Sequence, residues 1–178
     1  MTDEEIIKKV LADKHEFGKI IDRYEDKLRR YIGRISYCAD DDVDDLVQEV
    51  FISVYEKLNS YSSEYSFSSW IYRIAHNKTI DFIKKKKIKL TNVDNEELFE
   101  DSKNELLEDL AMAEDEKKRV RQALKKMDVK YRNIINLFYF EEKSYIEISD
   151  ILKISKSKAG VLLYRAKKEL KKILTDEN

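Results

Sequence analysis

No proline interrupts this chain of 178 residues, and glycine occurs only three times. An all-β fold rich in loops draws on both residues for its turns, so such folds are excluded. Leu, Ile, Lys and Glu are abundant and favour helix. Apolar residues make up 42% and charged ones 40%, enough to build a core and stay in solution. The sequence predicts an all-α protein.

Apolar residues recur at spacings of three and four, the helical period. A short opening helix covers 4–11. Phe17, Ile20, Ile21, Tyr24, Leu28, Tyr31 and Ile35 form a second stripe. Asp40–Asp42 are positioned to cap a helix reaching Leu58, with the acids at the positive end of its dipole. Val43, Leu46, Val47, Val50, Phe51, Val54 and Leu58 are its buried face; Asp45, Gln48, Glu49, Ile52 and Glu56 point elsewhere.

The helix expected over 67–87 sorts its side chains by direction. Phe67, Ile71, Ile74, Ala75 and Phe82 fall on one side; Arg73, His76, Asn77, Lys84 and Lys87 fall on another, with Trp70 at the seam. Cations for phosphate, an amide for base edges and a flat ring for stacking suit nucleic acid. A solvated Lys-rich helix end with a core Trp is the plainer alternative. The preceding loop, 59–66, carries Tyr61 and Tyr65, which suit either surface anchoring or a pocket for an unstacked base.

Residues 94–116 are overwhelmingly acidic and poor in periodic apolar positions, the composition of a linker extended by self-repulsion. The expected organisation is a first domain at 1–87, an acidic linker at 88–116 and a second helical domain at 117–178. Within the second, a helix over 144–152, a gap at 153–155 and a helix from 156 have helix-turn-helix dimensions. Ser155 is placed as the N-cap of the last helix. Ala159, Leu163, Ala166, Leu170 and Ile173 face inward, while Ser157, Lys158, Val161, Tyr164, Arg165 and Lys168 face out. Donors, positive charge and one apolar group that can meet a thymine methyl are what a recognition helix carries. An ordinary amphipathic helix with a Lys-rich surface is the competing account.

Several chemistries are excluded. Cys38 is the only cysteine and His15 and His76 the only histidines, too few for a Cys/His zinc site. Started at Asp40 or Asp42, the acidic run lacks the Gly and Glu that a calcium loop needs at its sixth and twelfth positions. No phosphate-binding glycine loop or nucleophile–His–acid set is present, so neither enzyme activity nor a cofactor is expected. No secretory leader or membrane-length apolar run is visible, and a lone cysteine fits a reducing cytoplasm. A stand-alone helix-turn-helix regulator and a plain helical interaction module remain as alternatives on residue chemistry alone.

Two blocks carry a resemblance. DLVQEVF at 45–51 with FSSWIYRIAHN at 67–77 resembles region 2 of bacterial sigma factors. ALKKM at 123–127, with SYIEISDIL at 144–152 and Ile154-Ser155, resembles region 4. Two blocks joined by a linker are the layout of the extracytoplasmic-function (ECF) group. The resemblance implies a promoter-specificity subunit that binds core RNA polymerase, at the β′ clamp and β flap, and promoter DNA. It implies polymerase contacts at Asp45, Leu46, Gln48, Glu49 and Ile52. For the −10 element it implies Tyr61, Tyr65, Trp70, Arg73, His76, Asn77 and Lys84. For the −35 element it implies Ser155, Ser157, Lys158, Val161, Tyr164, Arg165 and Lys168. The group commonly has an anti-sigma factor, in some cases membrane-anchored. One departure stands out. Ala159, Gly160, Val161 and Leu162 occupy positions that often read as a β-branched residue, Lys, Ser and Arg, so two frequent basic contacts are missing.

Overall fold

The computed structural model describes residues 1–91 and 113–176. Helices form all the regular structure among them. Helix α1 (Asp3–Ala12) opens with a capping box in which Thr2 accepts from the Glu5 amide and Glu5 accepts from the Thr2 amide, satisfying two orphan donors at once. It buries Ile6, Ile7 and Val10. After a 3₁₀ turn (Lys14–Phe17), α2 (Gly18–Ser36) buries Ile20, Tyr24, Leu28, Tyr31, Ile32 and Ile35. It stops at Tyr37, which adopts left-handed φ of 49°, a helix end usually given to glycine. The strain is held by packing: Val120 and Phe140 cover the ring, and the Arg132 guanidinium lies 4.8 Å from its centre.

Helix α3 (Asp40–Lys57) corrects one expectation. Ala39 is the capping residue and makes no side-chain cap bond; Asp40–Asp42 form the first turn instead, where their charge still meets the helix dipole. Helix α4 (Phe67–Thr91) packs against α2 and α3. Together α1–α4 form the first helical unit. The acidic linker expected over 88–116 lies largely outside the described residues. Its ends belong to helices: α4 runs to Thr91, and Glu114, Asp115 and Glu116 are the first turn of α5 (Glu114–Lys126).

The second unit continues with α6 (Val129–Ile135), a π-helical turn (Asn136–Phe140), α7 (Tyr145–Leu152) and α8 (Lys156–Asp176). Helix α7 starts on a second capping box, Ser144 with Glu147, and ends at Lys153 in the left-handed region. That reversal turns the chain into α8. The Lys158 amide donates to Ser155 Oγ at 3.2 Å, so Ser155 caps α8 as expected. Ala159, Leu163 and Ala166 are buried, with Leu170 and Ile173 against the same core. Tyr139, in the π-helical turn, is 50% exposed.

The two units are not separate bodies here. Helix α7 lies along α4, and α6 meets α2. One apolar cluster runs from Ile20, Leu28 and Ile71 through to Leu124, Ile134 and Ile148.

Gly160 needs no special backbone, since φ is not positive. A Cβ there would meet the Tyr145 ring at 4.0 Å, an ordinary contact. Gly160→Ala is therefore expected to stabilise the fold by about 1 kcal/mol. Thermal melting checks it: the midpoint should rise by about 2–4 °C, and a fall would mean Tyr145 cannot yield.

Candidate polymerase and nucleic-acid interfaces

The period of α3 puts Asp45, Gln48, Glu49 and Ile52 on its outer face, and all four are exposed, Ile52 by 58%. Glu49 pairs with Lys78 of α4 at 3.2 Å. Leu46 does not join them. It is 4% exposed and belongs to the core, because its position on the helix faces α2 and α4. Leu46 is therefore no part of an exposed contact face.

The segment from 59 to 77 is built around aromatic packing. Tyr61, Phe67 and Trp70 pack ring against ring, with centroids 5.4–5.6 Å apart. The Tyr61 hydroxyl donates to the Tyr65 carbonyl at 2.8 Å, which closes the loop. Tyr61 and Trp70 are thus part of the support, each half-buried, whereas Tyr65 is 40% exposed. Arg73 stacks on Tyr65 at 4.9 Å. Its Nε also donates to the Asp150 carbonyl of α7 at 2.8 Å.

His76 contradicts its expected place on an open face. Its Nδ1 meets Asn133 Nδ2 of α6 at 3.0 Å, and burial, aided by Lys84, pushes the imidazole down to about 4. It is neutral at pH 7 and engaged by the second unit. Asn77 and Lys84 do face solvent.

The outer face of α8 agrees with the sequence throughout. Ser155, Ser157, Lys158, Arg165 and Lys168 are exposed, as are Val161 by 50% and Tyr164 by 70%. Two large apolar groups thus stand in water among cations.

Comparison with known proteins decides the family. Sigma-70 region 2 matches residues 20–88, and sigma-70 region 4 matches residues 117–170. ECF RNA polymerase sigma factor SigW of Bacillus subtilis is 31% identical over 177 residues, covering 93% of this chain and 92% of that protein. The chain is an ECF-group sigma factor. RNA polymerase sigma factor SigZ of the same organism is 32% identical over 157 residues, covering 86% and 84% of the two chains. Two solved structures share the fold. One is CnrH in complex with the cytosolic domain of CnrY, with a TM-score of 0.73, 22% identity and 99% of each chain covered. The other is RpoE from Bartonella quintana with the anti-sigma factor NepR, at 0.69 and 18%, covering 92% of this chain and 99% of that one. As a sigma factor the protein is an initiation factor and not an enzyme; it binds core RNA polymerase and promoter DNA. None of the described helices is long and apolar enough to cross a membrane.

What the sequence reading missed is the polar set between the units: Tyr31, Arg34, Tyr72, Arg132, Asn133 and Glu141. Tyr31 and Tyr72 look like core aromatics in a helical stripe, and the other four look like surface. A signal existed in part. Arg132 and Asn133 interrupt the apolar run of α6, which invites a buried polar role.

The depressed His76 value carries a pH consequence. The unfolded imidazole titrates near 6.5 and the folded one near 4, so the unfolded state takes up the proton first. The stabilisation is intact above pH 6.5 and drains away as pH falls toward 4. Acidification from pH 7 to 4.5 should cost about 2 kcal/mol through this group. Urea midpoints at the two pH values test it, and His76→Gln should remove that part of the slope.

Proposed function

We propose that this sigma factor docks on the β′ clamp through Asp45, Gln48, Glu49 and Ile52 of α3. It reads the −10 element with Arg73, Asn77 and the loop at 59–66, and the −35 element with the outer face of α8. The observation that carries the reading is exposure by sector. Three unrelated patches keep costly or charged groups in water: Ile52 with its acids, Tyr65 beside Arg73, and Val161 with Tyr164 among lysines. Region 4 would also meet the β flap. The cytoplasm, where the polymerase works, is the proposed location, and an anti-sigma factor the proposed regulator. The CnrH and RpoE complexes support that last step only by analogy of fold.

Run-off transcription on genomic fragments with purified core polymerase tests the assignment. Asn77→Ala should weaken open-complex formation at the cognate promoter while leaving polymerase binding intact. Lys168→Ala should instead weaken duplex binding with little sequence bias and reduce its salt slope by about one, as a phosphate contact does. Equal loss of polymerase binding in both variants would show these surfaces to be misassigned.

A further inference from the structure

A cavity of about 260 Å³ lies at the seam between the two units, and its walls carry more positive charge than the fold itself uses. Helix α2 contributes Lys27, Arg30 and Arg34, and the loop after the π-helical turn contributes Glu141, Glu142 and Lys143. Four cations thus face two carboxylates. Spacings of three and four residues put Lys27, Arg30 and Arg34 on one face of α2, where like charges repel. Arg34 is answered by Glu141 at 3.0 Å, both side chains only 7% exposed, and the Tyr72 hydroxyl takes the other oxygen of that carboxylate. Among the described residues, Lys27, Arg30, Glu142 and Lys143 form no ion pair. Lys143 donates to Ser68 at 2.8 Å and lies 4.6 Å from the centre of the Tyr72 ring. Lys27 lies 5.8 Å from the Tyr24 ring. A hydroxyl and two rings are neutral partners. Burial pushes the Lys143 ammonium down, although Glu147 and Glu141 oppose it.

The loop that carries Lys143 is fixed before any ligand arrives. Glu142 takes a left-handed φ of 50°, which a residue with a Cβ adopts at a cost. The Glu141 amide donates to the Asn136 carbonyl at 3.0 Å, and the Lys143 amide to that of Leu137 at 2.9 Å. Across that turn Glu141 reaches Arg34 and Lys143 reaches Ser68. Donors held in place in this way bind at a lower entropic cost.

Size and lining narrow the ligand. The volume corresponds to about nine waters at about 30 Å³ each, which also matches one diphosphate group. Pockets for drug-sized ligands are larger, about 300–1,000 Å³, and mostly apolar. No duplex enters a space of this size. Three cations spread over two elements suit two phosphoryl groups: Arg30 offers a planar fork, and Lys27 and Lys143 act as point charges.

We propose that this cavity binds a small anion carrying a diphosphate group, pyrophosphate itself or the diphosphate of a nucleotide, with Lys27, Arg30 and Lys143 as its ligands. Arg34 stays with Glu141 and adds its field. The cavity includes none of the residues assigned above to polymerase or promoter, so its occupancy leaves those faces open to a protein that has sensed a small molecule.

The test titrates sodium pyrophosphate to about 5 mM into the full chain at constant ionic strength, because salt screens exposed cations. Calorimetry and thermal melting read binding. The expected result is one saturable site, with the melting midpoint raised by about 5–10 °C at hundredfold excess over Kd. Lys27→Gln combined with Arg30→Gln should weaken binding at least about tenfold, and so should Lys143→Gln, since each removes charge-assisted hydrogen bonds. Lys171→Gln combined with Lys172→Gln, both exposed on α8, removes the same charge elsewhere and should bind like the parent. Absence of saturable binding overturns the proposal, as does an equal loss in the α8 control. Orthophosphate binding as tightly as pyrophosphate overturns the diphosphate class. A fluorescein-labelled single-stranded oligonucleotide of mixed sequence probes the other source of phosphate. If it binds through Lys27 and Arg30 while pyrophosphate does not, these cations serve a nucleic-acid backbone and the proposal fails. Circular dichroism reads helicity; should Lys143→Gln lose it, the double variant at the exposed Lys27 and Arg30 decides by the same readings.

Discussion

Alanine at both Gln48 and Glu49 is expected to weaken binding to core RNA polymerase by about a hundredfold or more, with little change in melting temperature. Both side chains leave the outer face of α3, and neither belongs to the apolar core. Exposed substitutions away from caps and cavities usually stay within about 0.5 kcal/mol. Inside the protein the double change breaks the Glu49–Lys78 ion pair at 3.2 Å, and surface pairs contribute about 0–1 kcal/mol. An interface, by contrast, concentrates its energy in a few central residues that cost about 2–4 kcal/mol each. Ile52, 58% exposed in the same face, is the apolar anchor in the proposed patch. Competition binding against the parent protein, alongside a thermal melt, separates the two effects. Parent affinity in the double variant would remove this face of α3 from the assignment.

Arg132→Ala is expected to destabilise the folded chain by about 3–5 kcal/mol, the cost of breaking a buried, fully engaged charge. Only 6% of this residue is exposed. Its Nη2 and Nε donate to the Ile35 carbonyl at 2.6 and 3.1 Å, and its Nη1 reaches the carbonyls of Leu124 and Lys125. Ile35 lies in the last turn of α2, where carbonyls lack helical partners and carry the negative end of the dipole. One side chain from the second unit therefore caps a helix of the first and the end of α5 together. Removing it leaves those carbonyls buried and releases the ring of Tyr37 from its cation. At about 2–4 °C per kcal/mol for a chain of this size, the melting midpoint should fall by about 10 °C. Arg132→Lys keeps the charge and loses the planar fork, so it should recover less than half. A loss below about 1 kcal/mol for alanine would mean that water replaces the guanidinium without cost.

Period and chemistry made the helices legible. The stripe Phe17, Ile20, Ile21, Tyr24, Leu28, Tyr31, Ile35 can be buried only as a helix; the structure buries all of it but Phe17 and Ile21, which pack half-buried against the same core. The two motif blocks and the polar gap at 153–155 placed the helix-turn-helix and the Ser155 cap. The capping boxes at Thr2 and Ser144 are also written in sequence, as Thr-x-x-Glu and Ser-x-x-Glu. Each of these is a local property: a side chain answers a backbone group three or four residues away, and no distant partner is needed.

The tertiary structure alone decided which polar faces stay in water. Periodicity marks the apolar side of a helix; it is silent on a polar side that another element will cover. Arg73, His76 and Arg34 read as solvent-facing cations, yet each finds its partner 57 to 107 residues away. Leu46 is claimed both by the buried stripe of its helix and by the polymerase contacts the resemblance implies, and packing in the core decides for the first. Tyr37 shows nothing in sequence to end a helix in left-handed geometry, and it does so because Arg132, Val120 and Phe140 hold its ring. In every case the deciding group lies across the seam or on a neighbouring helix. A buried polar atom is acceptable only where its hydrogen bonds are met, and whether they are met depends on long-range packing that the one-dimensional pattern does not contain.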